Sequence, residues 1–217
     1  MRFRDRQDAG RRLAAALKKR AFDRPLVLGI PRGGVPVALE VARELGGDLG
    51  VVVARKLRAP GQPELAIGAV ASDGTPWIND RVAEMTGADE AWIRQEILQQ
   101  SKEARSREER FDGHRTPVNG RVVLIVDDGI ATGATAIVAC RMAKRGGARR
   151  VVLAVPVGPP GTMAAMRHEA DEVVCLFPDD MFEAVGQYYD DFAQVEDDEV
   201  KAILDGWHAP ARGKAAR

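Results

Sequence analysis

The segment that most constrains the fold is RVVLIVDD, residues 121–128. Its four consecutive apolar residues at 123–126 predict a strand that is buried on both faces. A strand with one face in water would instead alternate apolar and polar side chains. Strands buried on both faces occur in mostly parallel sheets, which helices cover from either side. The rest of the chain therefore has to supply helices between its strands.

Strand-like and helix-like patterns do alternate along the sequence. Apolar runs predict strands at 25–30, 50–56, 66–72, 121–128, 149–158 and 171–177. Amphipathic or glycine-terminated segments predict helices at 5–21, 35–45, 89–111, 134–145 and 162–169. We therefore expect an α/β fold, with a mostly parallel sheet flanked by helices on both faces. In such sheets ligands bind outside the carboxyl ends of the strands.

Charge and cysteine content narrow the class of function. The 32 basic residues balance the 32 acidic ones, which argues against a nucleic-acid coat or a binder of anionic membranes. No apolar run approaches the ~20 residues of a membrane span, and the charged N-terminal segment does not resemble a secretory signal. Cys140 and Cys175 lack metal-ligand spacing, which predicts a reducing, cytoplasmic location.

The segment VVLIVDDGIATGAT, residues 122–135, predicts an anion site at the end of its strand. Small residues in the turn let an anion approach the free N–H groups of the next helix, and two threonines add hydroxyl donors. These turn residues are Ala131, Thr132, Gly133, Ala134 and Thr135. The adjacent carboxylates of Asp127 and Asp128 suit sugar hydroxyls or a hard cation such as Mg²⁺. A phosphate beside a vicinal diol describes a ribose 5-phosphate.

This segment resembles the diphosphoribosyl-binding signature of type I phosphoribosyltransferases. The likeness lies in four apolar residues, two acids and a Thr-Gly-x-Thr loop, and the ATGAT form is most similar to that of the adenine enzymes. The resemblance implies that residues 131–135 hold the 5-phosphate of 5-phosphoribosyl 1-diphosphate (PRPP). It also implies that Asp127 and Asp128 face the ribose hydroxyls and hold Mg²⁺ through those hydroxyls or through water.

Two further segments match the same family. GIPRGGVP, residues 29–36, resembles its pyrophosphate loop, which implies that Arg32, Gly33 and Gly34 bind the diphosphate. The proline- and glycine-rich stretch at 57–65 predicts an exposed loop where the family has a flexible catalytic lid. Lys56 precedes that loop and is expected to reach the diphosphate. The residues expected to act in catalysis are Asp127, Asp128, Lys56 and Arg32.

The segment FPDDMFEAVGQYYDDF, residues 177–192, resembles the C-terminal base-binding segment of hypoxanthine-guanine phosphoribosyltransferases. The resemblance implies that Phe182 stacks on the base and that Asp190 lies near its edge. This chain has one additional residue between the aromatic residue and the glycine, so the register departs from the family pattern. A core position for Phe182 and a solvated position for Asp190 remain open alternatives.

The matching segments follow the family order across residues 23–192, which implies one domain over residues 1–206. Residues 73–120 then form a helical insertion, the hood, and residues 207–217 a flexible tail. Arginines 105, 107 and 110 of the hood could face a diphosphate, but the glutamates among them favour a plain surface.

The resemblance implies a homodimeric enzyme that uses PRPP and Mg²⁺ to ribosylate a nitrogen of a nucleobase-like acceptor, as in nucleobase salvage, and releases diphosphate. One alternative is a PRPP-binding regulatory module with reduced or lost catalysis. Another is an enzyme of the same scaffold that acts on a different phosphorylated ligand. Several family members carry an acid at the position of Ala131 and use it as a base. Alanine cannot do so, and the acceptor and the general base therefore stay open.

Overall fold

A computed structural model describes residues 2–111 and 117–209, and within them strands and helices alternate. The strands are β1 (Leu26–Gly29), β2 (Asp48–Val51), β3 (Ala54–Ala59), β4 (Gln62–Ala71), β5 (Pro76–Ile78), β6 (Val122–Val126), β7 (Arg150–Gly158) and β8 (Glu172–Pro178). The helices are α1 (Arg6–Lys18), α2 (Gly34–Leu45), α3 (Asp80–Met85), α4 (Glu90–Phe111), α5 (Ala134–Arg145), α6 (Pro160–Met166) and α7 (Asp197–His208). A short 3₁₀-helix, Val185–Tyr188, precedes α7.

The main sheet has five parallel strands in the order β2-β1-β6-β7-β8. Its central strand β6 is buried along its whole length, as its apolar run predicts. One core includes Leu13, Val41 and Leu204 from α1, α2 and α7. The core on the other face includes Ile137 and Met163 from α5 and α6. The predicted α/β fold, with helices on both faces of a parallel sheet, is therefore confirmed.

The predicted exposed loop at 57–65 is wrong, because this stretch is part of a β-hairpin. Strands β3 and β4 pair antiparallel, and only two residues connect Ala59 to Gln62. Leu57 and Ala59 are buried while Arg58 between them is exposed, which is the alternation of a strand with one buried face. Gly61 has a φ of +68°, a conformation that glycine adopts freely in a tight turn. The single strand predicted at 50–56 is accordingly divided between β2 and β3.

The hood packs on this hairpin. Strand β5 extends the hairpin to a three-stranded sheet in the order β3-β4-β5. Helix α4 places Ile93 and Ile97 against a small core that contains Leu57, Ile67 and Val70. The far end of α4 reaches the main domain, where Ala104 and Phe111 join the first core. The hood therefore covers the hairpin and is anchored to the main domain; its residues 112–116 lie outside the described part.

Helix α7 was not predicted from the sequence. It buries Val200 and Leu204 in the first core, and Trp207 packs partly against the same core. The predicted flexible tail at 207–217 therefore starts too early, since the helix continues to His208. Residues 210–217 lie outside the described residues. None of the helices in the described ranges is long and apolar enough to cross a membrane.

The close packing of α1 on α2 yields a prediction about stability. A Cβ atom added to Gly10 would lie 2.8 Å from Glu40 Cβ and 2.8 Å from the Val37 carbonyl oxygen. We expect Gly10→Ala to lower the free energy of unfolding by about 1–3 kcal/mol, because the helices have to separate. Urea denaturation monitored by circular dichroism measures this change.

The matched control is Gly206→Ala in α7, where an added Cβ meets no atom within 4 Å. That substitution should stabilise the protein by roughly 0.5–1 kcal/mol, since alanine is the better helix former. Equal stability of the two variants would contradict the close helix contact.

Candidate active site

The predicted acid pair and the predicted glycine loop lie side by side at one edge of the main sheet. Asp127 and Asp128 follow β6, and Gly33 and Gly34 follow the neighbouring strand β1, which pairs with β6 up to Val126. A Cβ atom on Gly33 would overlap the Asp128 carboxylate. A Cβ atom on Gly34 would lie 2.6 Å from the Val126 carbonyl oxygen and 3.0 Å from Asp127 Oδ1. Both positions therefore need glycine for this close approach.

Residues from both ends of the chain hold Asp128 in place. Arg6 Nε of α1 donates a hydrogen bond to Asp128 Oδ2 at 2.7 Å. The same guanidinium donates to the Ala193 carbonyl at 2.7 Å and lies 4.0 Å from the centre of the Phe192 ring. The Tyr189 hydroxyl donates to the Asp128 backbone carbonyl at 2.6 Å. No sequence signal pointed to these contacts, since Arg6 lies in an ordinary amphipathic helix.

The two carboxylates of Asp127 and Asp128 have a single positively charged partner, Arg6, among the described residues. Burial raises the pKa of Asp127 well above its ordinary value, and the neighbouring Asp128 carboxylate raises it further. Burial also raises the pKa of Asp128, although the hydrogen bond from Arg6 opposes that shift. One arginine thus accompanies two carboxylates in a largely buried site. Hydroxyl donors or a cation from a ligand would stabilise the ionised pair.

The predicted phosphate loop, residues 131–135, lies between β6 and α5. Gly133, with a φ of +81°, precedes the first residue of α5, and Ala131 and Thr132 are exposed. The Thr162 hydroxyl of α6 donates to the Ala131 carbonyl at 2.8 Å, which fixes the outer side of the loop. Among the described residues, the hydroxyl of Thr132 has no hydrogen-bond partner. The first N–H groups of α5 and a free hydroxyl are thus available to an anion.

A cavity of about 470 Å³ connects this loop with the hairpin and the hood. Its lining includes Thr135 of the phosphate loop and Lys56 of β3. The structure thus brings the predicted diphosphate lysine and the predicted 5-phosphate loop to one cavity. Arg107 and Gln100 of α4 line it as well. The sequence favoured a plain surface for Arg107, because its position in the cavity depends on how the hood folds over the hairpin.

The other predicted diphosphate residue, Arg32, faces the start of α7. Its Nη1 atom lies 3.4 Å from Glu196 Oε2 and 3.8 Å from Asp197 Oδ1. Glu196 and Asp197 belong to an acidic stretch whose sequence predicted no role in the site. The loop that carries Arg32 is therefore in contact with a segment beyond the predicted base-binding region.

Of the predicted base-binding residues, Asp190 is solvated, as its alternative states, whereas Phe182 packs only partly against a small core. Phe182 is half-buried and stacks on Tyr188, with ring centres 5.6 Å apart and planes tilted by 18°. Asp190 is exposed and forms an ion pair with Arg2 at 3.5 Å. Its backbone N–H donates to the Phe3 carbonyl at 2.8 Å, so this stretch is tied to the N-terminal residues. A base site at Phe182 and Asp190 stays a prediction.

Known proteins of related sequence and structure share this arrangement of elements. Residues 4–193 match the family profile of the phosphoribosyl transferase domain. Relatives from two strains of Mycobacterium tuberculosis, named as provisional phosphoribosyl transferases, are 51% identical over 208 residues, which cover 95% of this chain and 47% of each relative. The chain thus spans about half the length of these curated relatives.

Two solved structures extend the comparison. TT1426 from Thermus thermophilus is 45% identical, with a TM-score of 0.83 over 95% of this chain and 99% of that chain. AQ2163 from Aquifex aeolicus is 14% identical, with a TM-score of 0.51 over 83% of this chain and 78% of that one. The second likeness concerns the fold alone.

The raised pKa of Asp127 yields a prediction about stability and pH. A carboxyl group whose folded-state pKa is raised opposes folding as the pH rises above its ordinary pKa, because the unfolded chain then ionises more easily than the folded one; the effect is complete above the folded-state pKa. Asp127→Asn should therefore be more stable than the wild type at neutral pH. This advantage should vanish as the pH falls below the ordinary pKa of an aspartate. Urea denaturation at a series of pH values measures the difference.

The matched control is Asp180→Asn, at an exposed residue with no hydrogen bond or ion pair among the described residues. We expect its stability to follow that of the wild type at every pH. A wild type that is more stable than Asp127→Asn at neutral pH would contradict the strained acid pair.

Proposed function

The chain belongs to the phosphoribosyl transferase domain family, and we propose that it transfers the phosphoribosyl group of PRPP to a nucleobase-like nitrogen acceptor with release of diphosphate. The observation that carries this proposal is the contact between the Asp128 carboxylate and Gly33. It puts groups suited to sugar hydroxyls directly beside a loop suited to phosphates. The loop at 131–135 begins three residues after Asp128, within reach of the other end of the same sugar.

Each part of the sugar substrate then has a partner. The N–H groups at the start of α5 and the Thr132 hydroxyl would bind the 5-phosphate, because the described part of the chain supplies no side-chain acceptor for them. Asp127 and Asp128 would accept hydrogen bonds from the ribose hydroxyls. Those bonds favour the ionised carboxylates, which burial disfavours, so sugar binding would relieve an unfavourable feature of the free protein.

The reaction breaks the bond between the anomeric carbon and the diphosphate, and the acceptor nitrogen forms the new bond to that carbon. Positive charge develops on the sugar while negative charge grows on the leaving diphosphate. The leaving group would be stabilised by Arg32, by the Gly33 N–H and by Lys56. Removing one such donor typically costs ~3 kcal/mol of barrier. The Gly34 N–H already donates to the Ile30 carbonyl at 3.0 Å, so Gly34 would contribute close approach and no free donor. The carboxylates of Asp127 and Asp128 would favour the positive charge on the sugar.

The residues present fit Mg²⁺ that is bound mostly by substrate oxygens. Within the described ranges, no group of three or more His, Cys, Asp or Glu residues could hold a metal ion. Mg²⁺ commonly takes one or two carboxylates, substrate phosphates and waters, so a dedicated protein cage is not needed. Asp127 and Asp128 would hold it through the ribose hydroxyls or water. When bound, the ion would neutralise negative charge on the diphosphate.

The residues expected near the acceptor, Ala131 and Phe182, support the second candidate function, a PRPP-binding regulatory module. Position 131 carries alanine, so the phosphate loop has no carboxylate to take a proton from an acceptor nitrogen. The half-buried ring of Phe182 offers at most one face to a base, since Tyr188 covers the other. An enzyme would thus need a base from elsewhere or an acceptor that requires none.

Diphosphate release in the presence of a panel of nucleobases separates the two functions. The purified chain is mixed with PRPP and Mg²⁺, and each base is added in turn while released diphosphate is measured. Release that depends on one base supports the transferase. Calorimetric binding of PRPP without release for any base supports the regulator, and absence of PRPP binding contradicts both.

A substitution in the phosphate loop tests the proposed site. Gly133→Asp places a negative charge beside the expected 5-phosphate, at a φ of +81° and with the new Cβ 3.2 Å from Thr162 Cγ2. We expect the affinity for PRPP with Mg²⁺ to fall at least about tenfold, as lost charge-assisted hydrogen bonds predict. Isothermal titration calorimetry measures the affinity.

The control is Gly87→Asp at the end of α3, where φ is +68° and a Cβ meets nothing within 4 Å. It introduces the same residue at a similar backbone conformation, but away from the loop. Unchanged affinity in both variants would show that PRPP binds elsewhere.

A further inference from the structure

The hood helix α4 presents a cation to the cavity that also contains the predicted sugar-diphosphate residues. Arg107 lines this cavity together with Lys56 and Thr135. Its Nη2 atom donates to Asp197 Oδ1 of α7 at 2.5 Å. Its Nε atom is buried and has no hydrogen-bond partner in the described part of the chain. A buried donor without an acceptor is costly, which points to an acceptor that a ligand supplies.

Arg107 and Arg32 lie near the same carboxylate oxygen. Asp197 Oδ1 lies 2.5 Å from Arg107 Nη2 and 3.8 Å from Arg32 Nη1. One carboxylate oxygen is thus shared by two guanidinium groups, one from the predicted diphosphate loop and one from the hood. Guanidinium groups that converge in this way can bind the oxygens of a diphosphate through several parallel hydrogen bonds.

The charge of the cavity suits a ligand with several negative charges. Arg55 in its lining is paired with Glu103 at 2.5 Å. Lys56 and Arg58, which also line it, have no ion-pair partner among the residues that the structure describes. The described lining also contains one acid, Glu64, and its four cationic residues, Arg55, Lys56, Arg58 and Arg107, still outnumber it.

Gln100 provides a second unused donor beside Arg107. Its side chain is fully buried, and its Oε1 accepts a hydrogen bond from Arg55 Nε at 3.3 Å. Its Nε2 atom has no partner in the described ranges, although the residue lines the cavity. Arg107 Nε and Gln100 Nε2 are thus two donors of α4 without acceptors among the described residues. The two residues are seven positions apart and lie on the side of the helix that faces the cavity.

We propose that Arg107 is a further binding residue for the diphosphate group of PRPP, with Asp197 holding its guanidinium near Arg32. This inference rests on the proposed function, since it names an additional residue of the same site. Asp197 lies beyond residues 4–193, the part of the chain that matches the family profile. The hood and α7 therefore contribute together to a site whose other residues come from the segments that follow β1 and β6 and from strand β3.

Calorimetry with three ligands tests this role on the full chain. PRPP with Mg²⁺, inorganic diphosphate with Mg²⁺, and ribose 5-phosphate are titrated into the wild type and into Arg107→Gln. We expect the affinities for PRPP and diphosphate to fall roughly ten- to hundredfold, as loss of hydrogen bonds to a charged group predicts. The affinity for ribose 5-phosphate should stay within about twofold, because that ligand lacks the diphosphate.

The matched control is Arg94→Gln on the same helix, where the arginine is exposed and pairs only with Glu90 among the described residues. It should leave all three affinities unchanged. An Arg107→Gln variant that binds PRPP like the wild type overturns the inference. Equal weakening of all three ligands also overturns it, because it would show a merely structural role.

Arg107→Lys is the second test variant, to be used if Arg107→Gln does not fold. Lysine keeps the charge but cannot present two parallel donors, so PRPP binding should weaken several-fold while ribose 5-phosphate binding holds. Unchanged PRPP affinity in this variant overturns the inference. A wild type that binds neither PRPP nor ribose 5-phosphate would instead refute the proposed function, and the two failures are thereby distinguished.

Discussion

The carboxylate of Asp128 fills the space that a side chain at residue 33 would need, and the geometry of the site follows from this contact. Parallel pairing of β1 with β6 places the two loops next to each other, but only glycine lets them touch. Asp128 is then buried against the glycine loop instead of lying in open water. Arg6 takes part in the same contact, because its Nε atom donates to Asp128 Oδ2 and would lie 3.0 Å from a Cβ atom on Gly33.

Burial makes this acid pair an unfavourable feature of the free protein. Both carboxyl groups have pKa values above their ordinary range, and a single arginine opposes the shift. Such groups are common at functional sites, where the fold tolerates an unfavourable arrangement that a ligand improves. The cavity near Lys56 shows the complementary imbalance, with more positive than negative charge. A ligand with hydroxyl groups at one end and phosphates at the other would satisfy both.

Local sequence patterns predicted the parallel sheet, its flanking helices and the two loops, because buried strands and glycine turns have signatures a few residues long. The hairpin at 54–71 was not predicted, because the proline and glycine of its turn indicated a loop. The alternation of buried and exposed side chains at Leu57, Arg58 and Ala59 is too short to outweigh that signal. The role of Arg6 could not be predicted from any local pattern, because its partner Asp128 lies 122 positions away. The same holds for Arg107, whose surroundings exist only once the hood has folded.

The link between the two ends of the domain has a consequence for biosynthesis. Phe3 pairs with Tyr189, and Arg6 reaches the Ala193 carbonyl 187 positions further along. Helix α1 is synthesised well before the segment that contains Ala193, so the Arg6 guanidinium is fully engaged only after that segment has been made. Contacts of such long sequence separation form slowly, because a large loop has to close first. The pocket around Asp128 is thus completed late, when translation of the domain is almost finished.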